Sequence, residues 1–301
     1  GSLTLFPLGR QASACHNTHE EYDSKDEFMT DATATATDPI GDSLPAILAT
    51  YYDAIDSDRF EEAAATFGSD GRYAVPLPGM VETGPRTETT GSAALFERFT
   101  ERGTKPWRHV VRLCVVEGAD ALVEGVLVDD RGAAISTFVG SARIGERGLI
   151  ERYLAFSCPG ARDPIPTDVD PTTVPADAAT VVHDYFNDLD EGRFAEAAAH
   201  FSDDVLYSHP PYKHTGIDDP DRIEFRGRPA LEAAFERRGR AGFHHEVLTS
   251  IQRGPHCIFE GAVNNLPDSG TGSFISSLSL AEDGTIRRYV SFYCEPGVRG
   301  P

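Results

Sequence analysis

Two histidines and two tyrosines surround a Pro-Pro corner in residues 205–216, which read VLYSHPPYKHTG. Histidine has a reference pKa of ~6.5, so His209 or His214 could take up and release a proton near neutral pH. A tyrosine hydroxyl such as that of Tyr212 can donate a hydrogen bond to an oxygen on which negative charge develops. The stretch therefore indicates acid/base chemistry, although His209 could instead cap a strand or turn before the two prolines.

An internal repeat explains why this stretch has a counterpart without histidines earlier in the chain. Residues 51–68 and 185–202 are identical at nine of eighteen positions without a gap. The counterpart of the histidine-rich stretch, GRYAVPLPGMVETG at 71–84, keeps the tyrosine and the first proline but has Val75 where the second copy has His209. The repeat predicts two homologous domains, of which only the second keeps the histidines.

The repeat also sets the predicted domain boundaries, which are 44–160 and 176–297. The linker between them, residues 161–175, contains four prolines and is typical of a stiff, extended connection. Residues 1–43 are predicted to form a tail outside the two domains. Gly1-Ser2 at the start of this tail is typical of the remnant of a cleaved tag.

The formal charge of −21 argues against a nucleic-acid partner or an anionic membrane surface, because phosphate binding requires local positive charge. No apolar run approaches the ~20 residues of a membrane span. The five cysteines show no CxxC spacing, which favours buried thiols in a reducing compartment. We therefore expect a cytoplasmic protein that acts on a small molecule.

Cofactor and metal motifs are missing from the sequence. There is no GxGxxG, GxxxxGK[ST] or GxSxG motif, so no nucleotide cofactor and no serine nucleophile is predicted. Five histidines of the second copy could ligate metal in principle, but no HxH or HExxH spacing occurs among them: His209, His214, His244, His245 and His256. We expect neither a cofactor nor a metal ion.

Each copy begins with apolar residues at helical spacing and continues with strand-like runs. The first helix is predicted from Leu44 to Ile55, and its repeat from Ala178 to Leu189. A second short helix follows in each copy, and then come strands separated by turns such as EGAD, ERG and EDG. Helices followed by a meander of antiparallel strands predict an α+β fold with helices on one face of each sheet.

This order resembles the NTF2-like (SnoaL, ketosteroid isomerase-like) superfamily. Three motifs carry the resemblance: a first helix ending DAIDSDRF or NDLDEGRF, then F(S/G)xDxxY, then G-x-I-x-R-Y-x-x-F. The resemblance implies two cone-shaped domains, each a curved sheet wrapped around its N-terminal helices over an apolar pocket. Because members of the superfamily often dimerise, the tandem implies a pseudo-dimer within one chain. The paired layout is similar to that of the polyether epoxide-opening cyclases.

The resemblance also implies positions for pocket residues. A tyrosine on the first helix aligns with Tyr51 and Tyr185, and the general base aligns with Val75 and His209. The second copy is therefore predicted to be active and the first to serve as scaffold. The implied function is a cofactor-independent acid/base enzyme, of the cyclase, isomerase, dehydratase or epoxide-opening type, for a hydrophobic polyketide-like metabolite of secondary metabolism. The alternative is a non-catalytic binding or scaffold protein.

The candidate site residues fall into two groups. The candidate catalytic residues are His209, Tyr185, Glu260 and His245. The candidate substrate-binding residues are Tyr212, His214, Glu224, Tyr51, Trp107 and His109.

Several of these candidates have structural alternatives. An inward Glu260 would have a raised pKa, but the same residue could pair with an arginine on the outer sheet face. His109 and His245 occur in both copies, which favours a shared structural role, and Trp107 could be a core residue. Asp56 is expected to pair with Arg59 three residues later.

Overall fold

The structure is a computed structural model. It describes residues 39–76, 86–159, 165–168, 170, 172–209, 223–266 and 270–294. No helix among these residues is long and apolar enough to cross a membrane.

The first copy forms a seven-stranded sheet with three helices. Its strands run in the order β1-β4-β5-β6-β7-β2-β3. In chain order its elements are β1 (Ile40–Gly41), α1 (Ala46–Asp56), α2 (Phe60–Ala65), β2 (Phe67–Pro76), β3 (Arg86–Thr90), α3 (Ser92–Arg102), β4 (Trp107–Glu117), β5 (Asp120–Asp129), β6 (Ala134–Ile144) and β7 (Ile150–Pro159).

The second copy repeats this plan in a six-stranded sheet, in the order β10-β11-β12-β13-β8-β9. Its elements are α4 (Ala178–Glu191), α5 (Phe194–Ala199), β8 (Phe201–His209), β9 (Ile223–Arg226), α6 (Arg228–Arg238), β10 (His244–Arg253), β11 (His256–Leu266), β12 (Gly270–Leu280) and β13 (Ile286–Cys294). The predicted α+β class is confirmed, while the exact domain boundaries stay a prediction.

The sheets are mixed rather than purely antiparallel. Strand β2 pairs in parallel with β7, and β8 pairs in parallel with β13. The remaining neighbours pair antiparallel, apart from the short strand β1. Strands β4 to β7 form an antiparallel meander. Strand β2 follows the first two helices and pairs in parallel with β7, the last strand of that meander. The purely antiparallel expectation was therefore wrong for this strand.

Two segments differ from the sequence expectation. Ile40 and Gly41 lie within the predicted tail, yet they pair with Leu113 and Cys114 of β4 and extend the first sheet. Residues 1–38 lie outside the described residues. Helices α3 and α6 were not predicted at all. Each has few buried positions, such as Leu95 and Phe99 in α3, so its apolar stripe is short.

In each copy the helices cover one sheet face, and the two opposite faces pack against each other. Contacts join β4 with β10, β5 with β11, β6 with β12 and β7 with β13. The layer between the sheets is apolar and consists of Ala74, Leu113, Val115, Leu122, Val139, Leu154, Phe156, Ile165, Ile251, Ile258, Ile275, Val290 and Phe292. Ile165 comes from the predicted linker, so this part of the linker is packed rather than free in solvent.

Two reciprocal ion pairs cross this apolar layer. Arg288 of β13 donates to both carboxylate oxygens of Glu124 on β5, at 2.5 and 3.0 Å. The equivalent residues, Arg152 of β7 and Glu260 of β11, form the same two-pronged contact in the opposite direction. The Glu124–Arg288 pair is buried. Burial makes each charge depend on its partner, because neither carboxylate nor guanidinium can regain its water.

We expect Arg288→Met to lower the free energy of unfolding by about 3–5 kcal/mol, since it leaves the Glu124 carboxylate buried without its counter-charge. The double variant Glu124→Leu/Arg288→Met should recover most of this loss because it removes both charges. Chemical denaturation measures both effects.

The neighbouring Arg287 is the control. It pairs with the exposed Asp168, so Arg287→Met should lower the free energy of unfolding by only about 0–1 kcal/mol. Equally small decreases in the free energy of unfolding for Arg287→Met and Arg288→Met would contradict a tightly coupled Glu124–Arg288 pair.

Candidate active site

A cavity of about 790 Å³ lies in the first copy between the sheet and its helices. Aromatic residues form much of its wall: Tyr51, Tyr73, Phe99, Trp107, Phe138, Tyr153 and Phe156. Charged side chains of α3 and the following loop also reach it: Glu97, Arg98, Glu101, Arg102 and Lys105. An apolar hollow with a few polar groups is the usual form of a small-molecule site.

A carboxylate–imidazole pair lies at this cavity. The Oδ2 atom of Asp56, at the end of α1, accepts the backbone N–H of His109 at 2.7 Å. The Oδ1 atom lies 2.7 Å from His109 Nδ1, and the His109 ring lines the cavity. Because an ionised carboxylate only accepts hydrogen bonds, Nδ1 carries the proton of a neutral ring and Nε2 is left as the basic nitrogen. Within the described residues, Nε2 makes no hydrogen bond.

Tyrosine hydroxyls supply the other polar groups of the wall. Tyr51 donates to the Tyr73 hydroxyl at 3.2 Å, and the hydroxyls of Tyr52 and Tyr153 lie 2.9 Å apart. Burial raises the pKa of all four phenols. They therefore stay protonated at neutral pH and act as hydrogen-bond donors rather than bases. The Tyr73 hydroxyl accepts the hydrogen bond from Tyr51, and its own proton has no acceptor among the described residues.

The second copy contains the same pair without the space in front of it. Asp190 holds His245 through both the backbone N–H and Nδ1, each at 2.7 Å. The His245 ring is buried and stacks on Phe186 at 4.4 Å between ring centres. Burial lowers the pKa of His245, although Asp190 opposes this shift. His245 is consequently neutral at pH 7.

His209 and Tyr185 lie with His245, as predicted, but the cavity that they line measures only about 10 Å³. This volume corresponds to about one water molecule. The hydroxyl of Tyr185 lies 3.3 Å from that of Tyr207, and the His209 ring stacks on Tyr207. The His209 side chain is buried rather than exposed to bulk solvent. The structure therefore brings these three candidates together but leaves no room for a substrate among the described residues.

Substitutions between the copies account for the difference in volume. Tyr293 lines the small cavity, and its ring lies where a side chain on Gly272 would have to go. The equivalent of Tyr293 in the first copy is Ser157, and the equivalent of Phe225 is Thr89; both line the large cavity. Two aromatic rings are thus replaced by small polar side chains in the first copy.

Two acidic candidates of the second copy lie away from His209. Strand alternation places Glu260 beside Ile258 on the face between the sheets, where it binds Arg152. Glu224 pairs across the strands with Ser208, and its carboxylate accepts from the Ser208 hydroxyl at 3.3 Å. Since Ser208 and His209 are successive strand residues, Glu224 and His209 point to opposite faces. The structure thus assigns Glu260 to the outward, arginine-paired alternative.

The remaining candidates divide in two ways. Tyr51, Trp107 and His109 line the large cavity, and their role in substrate binding stays a prediction; Tyr212 and His214 lie outside the described residues.

The expected pairing of Asp56 with Arg59 was wrong. Arg59 binds Asp53 and Glu62 instead, and Asp56 is engaged with His109.

The sequence reasoning missed the cavity-lining arginines Arg98 and Arg102, because it did not predict helix α3. The signal was present in SAALFERFTER, where Leu95 and Phe99 lie four residues apart between Gly91 and Gly103. The described residues contain no cluster of three or more acidic, cysteine or histidine side chains that could hold a metal ion.

No family model and no curated protein matches the sequence. Solved structures do match. A proposed ketosteroid isomerase from Kribbella flavida DSM 17836 is 21% identical, with a TM-score of 0.31 over 40% of this chain and 81% of its own. A proposed polyketide cyclase from Sinorhizobium meliloti is 22% identical, with a TM-score of 0.29 over 37% of this chain and 94% of its own.

An LEH-like epoxide hydrolase from Mycobacterium tuberculosis is 16% identical, with a TM-score of 0.31 over 38% of this chain and 80% of its own. NTF2-like proteins and a SnoaL-like isomerase are among the other similar structures. At these identities and TM-scores the likeness defines neither a family nor an activity for this chain.

The buried histidines of the second copy predict a pH-dependent stability. Burial lowers the pKa of His256, and the neighbouring Arg288 lowers it further. The unfolded chain, with a histidine pKa of ~6.5, therefore binds this proton more readily than the folded protein. The stability from His256 is complete above the unfolded pKa and is lost as the pH falls below it. His245 acts in the same direction.

We expect the melting temperature to fall between about pH 7.5 and about pH 5.5, and His256→Asn to reduce the slope. The exposed His183 on α4 provides the control, and His183→Asn should leave the slope unchanged. Identical slopes for wild type and His256→Asn would contradict the prediction.

Proposed function

We propose that this chain is a cofactor-independent acid/base enzyme that acts on a hydrophobic small molecule in the cavity of the first copy. The observation that carries the proposal is the Asp56–His109 pair at a cavity of about 790 Å³. This location differs from the sequence expectation, which placed the reaction in the second copy. The open volume at His109 supports this location, because the described residues beside His209 leave space for only about one water molecule.

In the proposed mechanism, His109 Nε2 accepts a proton from a carbon or a hydroxyl of the substrate. Asp56 fixes the tautomer of the ring and stabilises the imidazolium that forms, as a buried carboxylate does in other acid/base dyads. The Tyr73 hydroxyl donates a hydrogen bond to the substrate oxygen on which negative charge develops. One such donor is commonly worth about 2.7–4 kcal/mol in the transition state.

The reaction class fits isomerisation, cyclisation, dehydration or epoxide opening, since each requires proton transfer and none requires an electron carrier. The aromatic wall favours a hydrophobic substrate of polyketide-like character. The role of His209 as a base stays a prediction for the second copy.

A non-catalytic carrier is the second candidate. It is favoured by the tyrosine hydroxyls of the wall, which pair largely with one another and so need no ligand to satisfy them. Rate measurements distinguish the two candidates, because a carrier binds its ligand without accelerating any proton transfer.

The test uses 2-tetralone as a carbon-acid substrate and follows deuterium uptake from D2O by NMR. Wild type should accelerate the exchange over buffer. His109→Asn should lower the protein-dependent rate by about 10²–10⁴-fold, the usual contribution of a general base. Opening of styrene oxide tests the epoxide-opening alternative with the same variants.

His245→Asn is the matched control, since it removes the equivalent imidazole where there is no room for substrate. Its rate per folded molecule should remain within about threefold of wild type, because the described residues around His245 leave no space for a substrate. Melting temperatures report the folding of both variants. Equal rate losses in the two variants, or no acceleration by wild type with either substrate, would count against the enzymatic proposal.

A further inference from the structure

Three cationic side chains reach the cavity of the first copy: Arg98, Arg102 and Lys105. All three are half-buried, whereas the two acids that also border the cavity, Glu97 and Glu101, are exposed. The cations therefore point further into the cavity than the acids do. Positive charge collects here in a chain whose formal charge is −21.

The second copy lacks two of these cations. The equivalents of Arg98 and Lys105, which differ by 136 in number, are Ala234 and Ala241. Arg98 and Lys105 therefore accompany the open cavity, whereas Arg102 belongs to the repeated framework because its equivalent is Arg238. Because Arg98 and Lys105 occur only in the copy with the open cavity, their presence there indicates a role in ligand binding.

Arg102 lines the cavity and has one nitrogen atom without a hydrogen-bond partner among the described residues. Its guanidinium lies over the Trp107 ring, 4.8 Å from the ring centre. Its Nη1 atom is buried and has no hydrogen-bond partner among the described residues. A buried charged donor without an acceptor is unfavourable. A guanidinium held flat on an aromatic ring still presents its edge, which can bind a carboxylate with two parallel hydrogen bonds.

Arg98 is held in place on the same face of α3, four residues before Arg102. It donates to the Thr89 hydroxyl at 2.9 Å and to the Val75 carbonyl at 3.0 Å. Its guanidinium also lies over the Tyr73 ring, 5.3 Å from the centre. Burial raises the pKa of Tyr73, and the charges of Arg98 and Arg102 both oppose that shift. The positive potential of the two arginines thus reaches the Tyr73 hydroxyl.

We propose that the cavity selects amphiphilic carboxylates: the carboxylate binds Arg102, with Arg98 and Lys105 nearby, and the apolar body lies against the aromatic wall. This inference rests on the proposed function for the identity of the substrate cavity and adds the chemical class of the ligand. Arg102 is the specificity-determining residue. A neutral ligand of the same length would leave the Arg102 donor without an acceptor.

A purely structural role for Arg102 has to be separated from this one. In the second copy, Arg238 lies over the Phe243 ring at 4.9 Å and also has buried nitrogen atoms without partners. Arg238 does not line the small cavity of about 10 Å³. Arg238 is therefore a matched control, because it makes the same stacking contact without an adjacent open cavity.

The single tryptophan of the chain provides the assay. Because Trp107 lies beneath Arg102 and lines the cavity, its fluorescence reports a ligand that binds there. We expect octanoate to produce a saturable change and to bind at least about tenfold more tightly than 1-octanol. Arg102→Gln should weaken octanoate binding by about 10- to 100-fold, as for the loss of a charge-assisted hydrogen bond, and change 1-octanol binding by less than about threefold. Arg238→Gln should leave both affinities unchanged.

Arg102→Lys is a second variant, which keeps the charge and loses the two-pronged geometry; we expect an intermediate loss. Isothermal titration calorimetry and melting temperatures check binding and folding independently of fluorescence. The inference is overturned if wild type shows no saturable octanoate binding or binds octanoate and 1-octanol equally. Equal effects of Arg102→Gln and Arg238→Gln overturn it as well.

His109→Asn separates this inference from the proposed function. It should abolish catalysis while leaving octanoate affinity within about threefold of wild type, since the carboxylate is placed on Arg102 rather than on His109. Catalysis that depends on His109 without carboxylate preference would overturn the ligand class alone. Carboxylate preference without catalysis would overturn the enzymatic proposal alone.

Discussion

The packing of the two sheets against each other is the constraint on which the rest of the structure depends. An apolar layer and two reciprocal arginine–glutamate pairs occupy the face between them. Because successive strand residues point to opposite faces, fixing Arg152 and Leu154 at this interface places Tyr153 between them on the inner face. Tyr153 accordingly lines the cavity. The interface therefore determines which side chains are available to a ligand on the inner face.

The carboxylate–imidazole pair has the same structural role in both copies. In each, the aspartate at the end of the first helix binds the backbone and the ring of a histidine near the start of a strand. This contact fixes the helix on the sheet. That role explains why Asp190 and His245 retain the same contact in the second copy, where the described residues leave a cavity of only about 10 Å³. What distinguishes the copies is the space in front of the ring. The chemistry proposed for His109 requires the space beside Ser157, the residue that takes the place of Tyr293 in the first copy.

The sequence was sufficient to predict the duplicated α+β fold, because helical and strand periods repeat at a constant offset. It also identified Tyr51, Trp107 and His109 as cavity residues. It could not locate the larger cavity, since that volume depends on side chains from α1, α3 and six strands that meet only in the fold. The catalytic role predicted for His209 stays a prediction. The face occupied by Glu260 depends on how β11 is placed in the sheet, and strand alternation alone does not show which face meets the other sheet.

The charges of the chain act over two different distances. The acidic surface repels anions at long range, but ions screen this repulsion within about 8 Å at physiological ionic strength. The half-buried Arg98 and Arg102 lie where screening is weaker and charge-assisted hydrogen bonds are stronger. A carboxylate that reaches the cavity thus meets a local field of opposite sign to the field outside. Discrimination between charged and neutral ligands is consequently set inside the cavity, by contacts such as Arg102, and not during approach.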